Sequence, residues 1–152
     1  MAPRPSLRPL TVPTFIDTNV LAYAHDASEQ RRQPIAAALI DDLWRSREGV
    51  VSTQVLTEFY VVVTRKFDPP LSRREARGLV DNYSAWPVVQ VDPPLIIAAS
   101  ALEERHSLSL WDALIIEAAR RAGADRLLSE DLQHGRRIAG LIIENPFDSV
   151  DS

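Results

Sequence analysis

The sequence predicts a three-layer α/β/α sandwich around a central, mainly parallel sheet of about five strands. Three observations carry that expectation. Short aliphatic runs at Phe15-Ile16, Val50-Val51, Val88-Val89, Leu127-Leu128 and Ile142-Ile143 are continuously apolar, as strands covered on both faces must be. Longer stretches between them repeat apolar residues at helical spacing. The two patterns alternate along the chain, which is the signature of βαβ units. No internal repeat or second domain is visible in 152 residues, a length that buries one core.

The elements follow in order. Residues 1–13 are rich in Pro and Arg and lack an apolar stretch, which predicts an extended lead-in rather than a secretory signal. Residues 14–147 form the predicted single domain, and 148–152 a short tail. The first strand ends at Phe15-Ile16, and a short helix is expected over 20–24. Ser28 reads as an N-cap ahead of a helix over about 34–45, whose Ile35, Leu39, Ile40, Leu43 and Trp44 share one side. Gly49 is expected to close that unit before a second strand at 50–52.

Thr53 reads as the cap of a helix over 54–66, broken by Asp68-Pro69-Pro70. Val55, Leu56, Phe59, Tyr60, Val62 and Val63 form its broad apolar face, and Glu58 sits at the border, about 40° from Val62. Ser72 and Glu75 make a capping box for a helix to about residue 84. A third strand is expected over 88–91, then helices over 94–105 and 110–121, the latter stopped by Gly123. Strands at 126–128 and 141–143 complete the pattern, with Asn145-Pro146 ending the last.

Composition removes several chemistries. The absence of cysteine excludes a disulfide scaffold, a thiolate zinc site and a Cys nucleophile. The 5 glycines form no phosphate-cradling loop, which excludes P-loop and dinucleotide sites. There is no Gly-x-Ser-x-Gly elbow. His25, His106 and His134 are too scattered for a zinc site. An aspartyl-phosphate site built on Asp17 lacks the second Asp two residues on, because Asn19 stands there. The net charge of -4 supplies no overall basic field, and Lys66 is the single lysine. Arginine clusters at Arg73/Arg74/Arg77, Arg120/Arg121 and Arg136/Arg137 fit solvated surface, although Arg also pairs bidentately with phosphate. No run is long and apolar enough for a membrane span, so a cytoplasmic protein is expected.

What remains are acids at element junctions. Asp17, with Thr18 and Asn19, follows the first strand, where open α/β sheets gather ligands. Asp112 opens a helix, Asp131 follows the fourth strand after Ser129, and Glu58 borders an apolar face. Each also has an ordinary structural reading: Asp17 caps a helix, Ser109 and Asp112 form a capping box, Ser129 or Asp131 caps a turn, and Glu58 reaches for water. Were they to converge, two carboxylates about 5 Å apart would repel by roughly 3 kcal/mol at an effective dielectric of 20. A divalent cation relieves that, and all-oxygen ligation favours Mg²⁺ or Mn²⁺ over zinc. Spacing alone leaves convergence open.

Four stretches in series resemble the PIN-domain ribonucleases, most of all the VapC-type toxins of bacterial type II toxin–antitoxin pairs. They are Phe15-Ile16-Asp17-Thr18-Asn19-Val20-Leu21, Thr57-Glu58-Phe59-Tyr60, Trp111-Asp112-Ala113-Leu114-Ile115 and Leu128-Ser129-Glu130-Asp131-Leu132, within residues 14–147. The resemblance implies helices on both faces of a parallel sheet and an acidic site of Asp17, Glu58, Asp112 and Asp131, supported by Asn19 and Ser129. It implies that Asp17, Asp112 and Asp131 hold Mg²⁺ or Mn²⁺ and that Glu58 orients a water or helps coordinate. It further implies an RNA substrate, a cognate antitoxin covering the site, and a homodimer. His134-Gly135 departs from the pattern, since many relatives carry an Asp-Phe pair shortly after the last acid. The competing readings are a non-catalytic α/β interaction module, in which the acids only cap helices, and a nuclease acting on DNA.

Overall fold

A computed structural model describes residues 12–148; most of the expected lead-in and all but Asp148 of the tail lie outside them. Its strands are β1 (Thr14–Ile16), β2 (Gly49–Ser52), β3 (Val88–Val89), β4 (Arg126–Leu128), β5 (Arg137–Ile138) and β6 (Leu141–Glu144). They form one sheet in the order β3-β2-β1-β4-β6-β5. Every neighbouring pair is parallel except β5 with β6. The helices are α1 (Thr18–Tyr23), α2 (Arg32–Ser46), α3 (Thr53–Arg65), α4 (Arg73–Tyr83), α5 (Pro93–His106) and α6 (Leu110–Arg121).

The strand order fixes where a ligand can sit. From β1 the chain steps outward through β2 to β3, and right-handed crossovers put α1–α4 together on one face. It then returns over the sheet to β4, which puts α5 and α6 on the opposite face, packed against each other. This is the expected three-layer sandwich. All residues of β1 and β2 are buried, as strands covered on both faces require. The direction reverses between β1 and β4, so a crevice opens at their carboxyl ends.

Several boundaries differ from the sequence expectation, each for a local reason. A sixth strand, β5, pairs antiparallel with β6 through the two-residue turn Ala139-Gly140, both with positive φ (53° and 84°). That is a hairpin turn, but its Ala-Gly sequence lacks the usual Asn-Gly signal and β5 is too short to show a period. β3 ends at Val89 because the Val91 amide leaves the ladder and donates to Thr53 Oγ1 at 3.2 Å. Ser28 does not cap α2; its amide and hydroxyl both bond Asp26 in a turn ahead of the helix. α2 ends on Arg47 in the left-handed region (φ 61°), and Gly49 opens β2 instead of closing the helix. Ser52, not Thr53, caps α3, accepting from the Val55 amide. The Ser72–Glu75 capping box and the limits of α6 and β4 are as expected.

Gly49 has a packing role. A Cβ there would stand 2.7–2.9 Å from the Trp86 indole, which lies flat over the start of β2. Trp86 in turn meets Trp44 and Tyr83, and Tyr83 meets Phe59, making an aromatic cluster under α2, α3 and α4. Among the described residues no helix is long and apolar enough to cross a membrane.

Candidate active site

β1 and β4 pair with Ile16 opposite Leu128, so the next residues on each strand meet at the crevice. Asp17 is held there from both sides. Its amide donates to Leu128 O at 2.9 Å, and Ser129 Oγ donates to Asp17 Oδ2 at 2.8 Å. The other carboxylate oxygen accepts the Thr18 amide at 2.7 Å, so Asp17 also caps α1, which begins two residues earlier than expected. The residue is 6% exposed. Burial pushes its carboxyl up from 3.8 to about 6; the Ser129 and Thr18 hydrogen bonds oppose the rise, while Asp131 and Glu58 add to it.

The neighbouring acids are each steadied by a neutral donor. Asn19 Nδ2 reaches both oxygens of Asp131, at 2.9 and 2.8 Å. The Asp131 amide donates to Ser129 Oγ, so that one hydroxyl ties the two acids that follow β1 and β4. Burial raises the Asp131 carboxyl; the Asn19 bond opposes this, and Asp112, Glu130 and Glu58 add to it. Glu58 on α3 accepts from Thr18 Oγ1 at 3.0 Å and from Gln54 Nε2 at 2.9 Å. Asp112 lies in the first turn of α6, where its amide donates to Ser109 Oγ.

Asp17, Glu58 and Asp131 stand together at one cleft, whereas Asp112 does not line it and is felt there only through Asp131. Asp17, Asn19, Glu58, Lys66 and Asp131 line a cleft of about 400 Å³ at the carboxyl edge of the sheet. Among the described residues no three acidic or histidine side chains already stand together at metal-holding distance. The donors are nevertheless all oxygen, concentrated around a buried carboxyl, which suits a hard cation and not zinc.

Helix capping does not account for the set. Asp17 is a cap, but Glu58 and Asp131 accept only from side chains among their described hydrogen bonds. His134 Nδ1 accepts the Asn145 amide at 2.9 Å, so it anchors the end of β6.

Sequence reasoning missed the support of the Asp131 loop and of Glu58. Glu130 accepts from Tyr23 Oη at 2.7 Å and from Arg32 Nε at 2.6 Å, and Arg32 lies over the Tyr23 and Phe147 rings. Burial, with Glu130 beside it, pushes the Tyr23 hydroxyl up to about 12. Nothing in sequence spacing marks that contact. Gln54 was findable: it stands four residues before Glu58, the spacing at which helix side chains meet.

Comparison with known proteins bears on this geometry directly. The PIN domain family model matches residues 14–140, which include every acid of the cleft. The chain belongs to the PIN domain family. No curated protein matches it. Solved structures share the PIN fold. A toxin–antitoxin complex from Klebsiella pneumoniae is similar with a TM-score of 0.65 and 17% identity over 88% of this chain and 97% of that one. VapC20 from Mycobacterium tuberculosis, described as a sarcin–ricin loop cleaving toxin, has a TM-score of 0.59 and 22% identity over 78% and 91%. VapBC2 from Rickettsia felis, bound to a DNA fragment from its promoter, has a TM-score of 0.60 and 19% identity over 88% and 98%.

Proposed function

We propose that this PIN-domain protein is a Mg²⁺- or Mn²⁺-dependent endoribonuclease and the toxin of a toxin–antitoxin pair. The observation that carries the reading is the buried Asp17 carboxyl facing Asp131 and Glu58 at the sheet's switch point, where burial and like charge raise its pKa to about 6. Capping α1 and bonding Ser129 account for the Asp17 carboxyl but not for two further acids set beside it. A cation supplies the missing countercharge.

Asp17, Asp112 and Asp131 would hold the ion. When bound, it lowers the pKa of a water, aligns it on the phosphodiester and neutralises charge on the leaving oxygen. Ser129 fixes one oxygen of Asp17 while Thr18 N–H fixes the other. Asn19 keeps Asp131 turned into the cleft. Glu58, oriented by Thr18 and Gln54, positions the attacking water and accepts its proton. Lys66 on the cleft wall and Arg77 in an adjoining hollow lined by Thr53 and Thr57 meet flanking phosphates, so binding weakens with salt.

The RNA substrate and the antitoxin rest on the relatives: VapC20 is described as cleaving the sarcin–ricin loop, and the Klebsiella structure is a toxin–antitoxin complex. An antitoxin that inserts an arginine among the four acids would silence the site. A homodimer belongs to the same reading, and the exposed Ile96 and Ile97 on α5 offer an apolar surface for it.

The test is cleavage of total and ribosomal RNA with Mg²⁺ or Mn²⁺. Asp17→Asn and Asp112→Asn are expected to remain folded and lose cleavage, and either cation is expected to raise the melting temperature of the unaltered protein. A chain that binds no divalent ion and cuts no RNA would instead be an interaction module. Unchanged metal-dependent cleavage in both variants would refute the site.

A further inference from the structure

The chain carries a net charge of -4 and its cleft is acidic, so a polyanion needs basic groups nearby to hold it. They are gathered in one place. Residues 65–81 hold five basic residues, Arg65, Lys66, Arg73, Arg74 and Arg77, against three acidic ones, Asp68, Glu75 and Asp81. This stretch covers the end of α3, the turn after it and most of α4. Elsewhere Arg32, Arg45, Arg120, Arg121 and Arg126 each form an ion pair. The five at α3 and α4 are all exposed, and among the described residues none of them pairs with a carboxylate.

Helix stability explains one of these charges and not the others. Arg65 lies in the last turn of α3, where the helix dipole favours a cation. Arg73 and Arg74 open α4, where the dipole favours an acid and disfavours both of them. Glu75 is turned to the Ser72 amide in the capping box, and Asp81 lines hollows beside His25 on a different flank of α4. The basic side adjoins the acids. Lys66 is on the cleft wall, and Arg77 walls the neighbouring hollow, which shares Thr57 and Val61 with the cleft. Around α4, Arg73 stands about 40° and Arg74 about 60° from Arg77, so the three project on one side. Lys66 lies about 12 Å beyond Glu58 along α3.

We propose that the end of α3 and the first turns of α4 form a docking arm for the substrate RNA, with Arg73 and Arg74 on backbone phosphates several nucleotides from the scissile one. This rests on the ribonuclease reading and deepens it: the strand leaves the acids on the α3–α4 side, passes Lys66 and Arg77, and ends its contacts on the first turn of α4. Guanidinium groups grip phosphate bidentately and read no base. The arm therefore adds affinity and sets a minimum length of RNA without selecting sequence. A strand too short to run from Glu58 past Lys66 gains nothing from it.

The test separates binding from cutting. The full protein in EDTA is titrated with a fluorescein-labelled uridylate dodecamer, and anisotropy is followed between about 50 and 200 mM salt. Each phosphate contact on a single strand contributes about 0.7 to the slope of log affinity against log salt. Arg73→Gln/Arg74→Gln is therefore expected to flatten the slope by about 1.4. It should bind at least about tenfold more weakly at about 50 mM, with the deficit narrowing about sevenfold by about 200 mM. Arg73→Lys/Arg74→Lys keeps most of the slope, because lysine still meets phosphate as a point charge. Arg45→Gln/Arg120→Gln reaches the same net charge by removing ion-paired arginines, and is expected to match the unaltered protein. All four altered residues are exposed, and circular dichroism checks that each variant is folded. An unchanged slope in Arg73→Gln/Arg74→Gln, an equal loss in Arg45→Gln/Arg120→Gln, or no recovery with lysine would overturn the arm. A surface that serves an acidic protein instead of RNA would give the first of these results. Since no divalent cation is present, failure of the nuclease reading shows separately, as a slope that depends on Arg73 and Arg74 without any cleavage when Mg²⁺ or Mn²⁺ is restored.

Discussion

Replacing Asp17 with asparagine should make the protein more stable while destroying its proposed activity. Burial lifts the Asp17 carboxyl from 3.8 to about 6, and at 1.36 kcal/mol per pH unit that rise corresponds to roughly 3 kcal/mol. The group is only 6% exposed, so solvent screening leaves the figure largely intact. The folded-state pKa lies above the unfolded one. The stability is therefore complete below about pH 3.8, falls as pH rises between the two values, and is fully lost above about 6. Asparagine removes the charge and keeps the shape. Its oxygen still accepts the Thr18 amide, and its NH₂ donates to Ser129 Oγ, whose own proton then loses its acceptor at a cost of about 1 kcal/mol. The net gain is about 2 kcal/mol at pH 7.5, or roughly 4–8 °C in melting temperature for a domain of this size. Thermal unfolding followed by circular dichroism in EDTA, at pH 7.5, 6, 5 and 4, measures it. The difference should shrink steadily and reverse slightly near pH 4. An Asp17→Asn protein no more stable than the parent at pH 7.5, or a gain that does not change with pH, would refute the reasoning.

Two further outcomes follow from the geometry. Asn19→Ala removes both hydrogen bonds to Asp131 and should cost about 10–100-fold in Mg²⁺ affinity, read from metal-dependent melting, while changing metal-free stability by less than about 1 kcal/mol. Gly49→Ala drives a Cβ into the Trp86 indole and should destabilise the fold by about 1–3 kcal/mol, measured by urea unfolding; an unchanged midpoint would mean that the ring shifts freely.

The sequence made the layers legible because they depend on long apolar periods. The strands β1, β2 and β4 and the helix α6 lie within a residue of expectation. What escaped was short or relied on backbone partners: the hairpin of β5 through Ala139-Gly140, the Ser52 cap and the Asp26–Ser28 turn. The site was legible one residue at a time. Asp17, Asn19, Glu58, Asp112, Ser129 and Asp131 could be named, yet their meeting depends on β1 pairing with β4, which no local pattern encodes. Helical spacing placed Glu58 at a border, and that border faces the cleft. Gln54, Tyr23, Arg32 and Glu130 went unnoticed because polar residues on helix surfaces resemble solvated ones until their partners are in place.

The bond between Ser129 and Asp17 closes a loop of 112 residues, as does that between Asn19 and Asp131. β1 is made early and waits for β4, so the crevice is among the slowest contacts of the chain to form. Helical structure can accumulate during refolding well before two of the four acids share a neighbourhood. On the proposed nuclease reading, cleavage would therefore be a late readout of folding. On the proposed toxin reading, that delay leaves an interval in which an antitoxin can already be waiting.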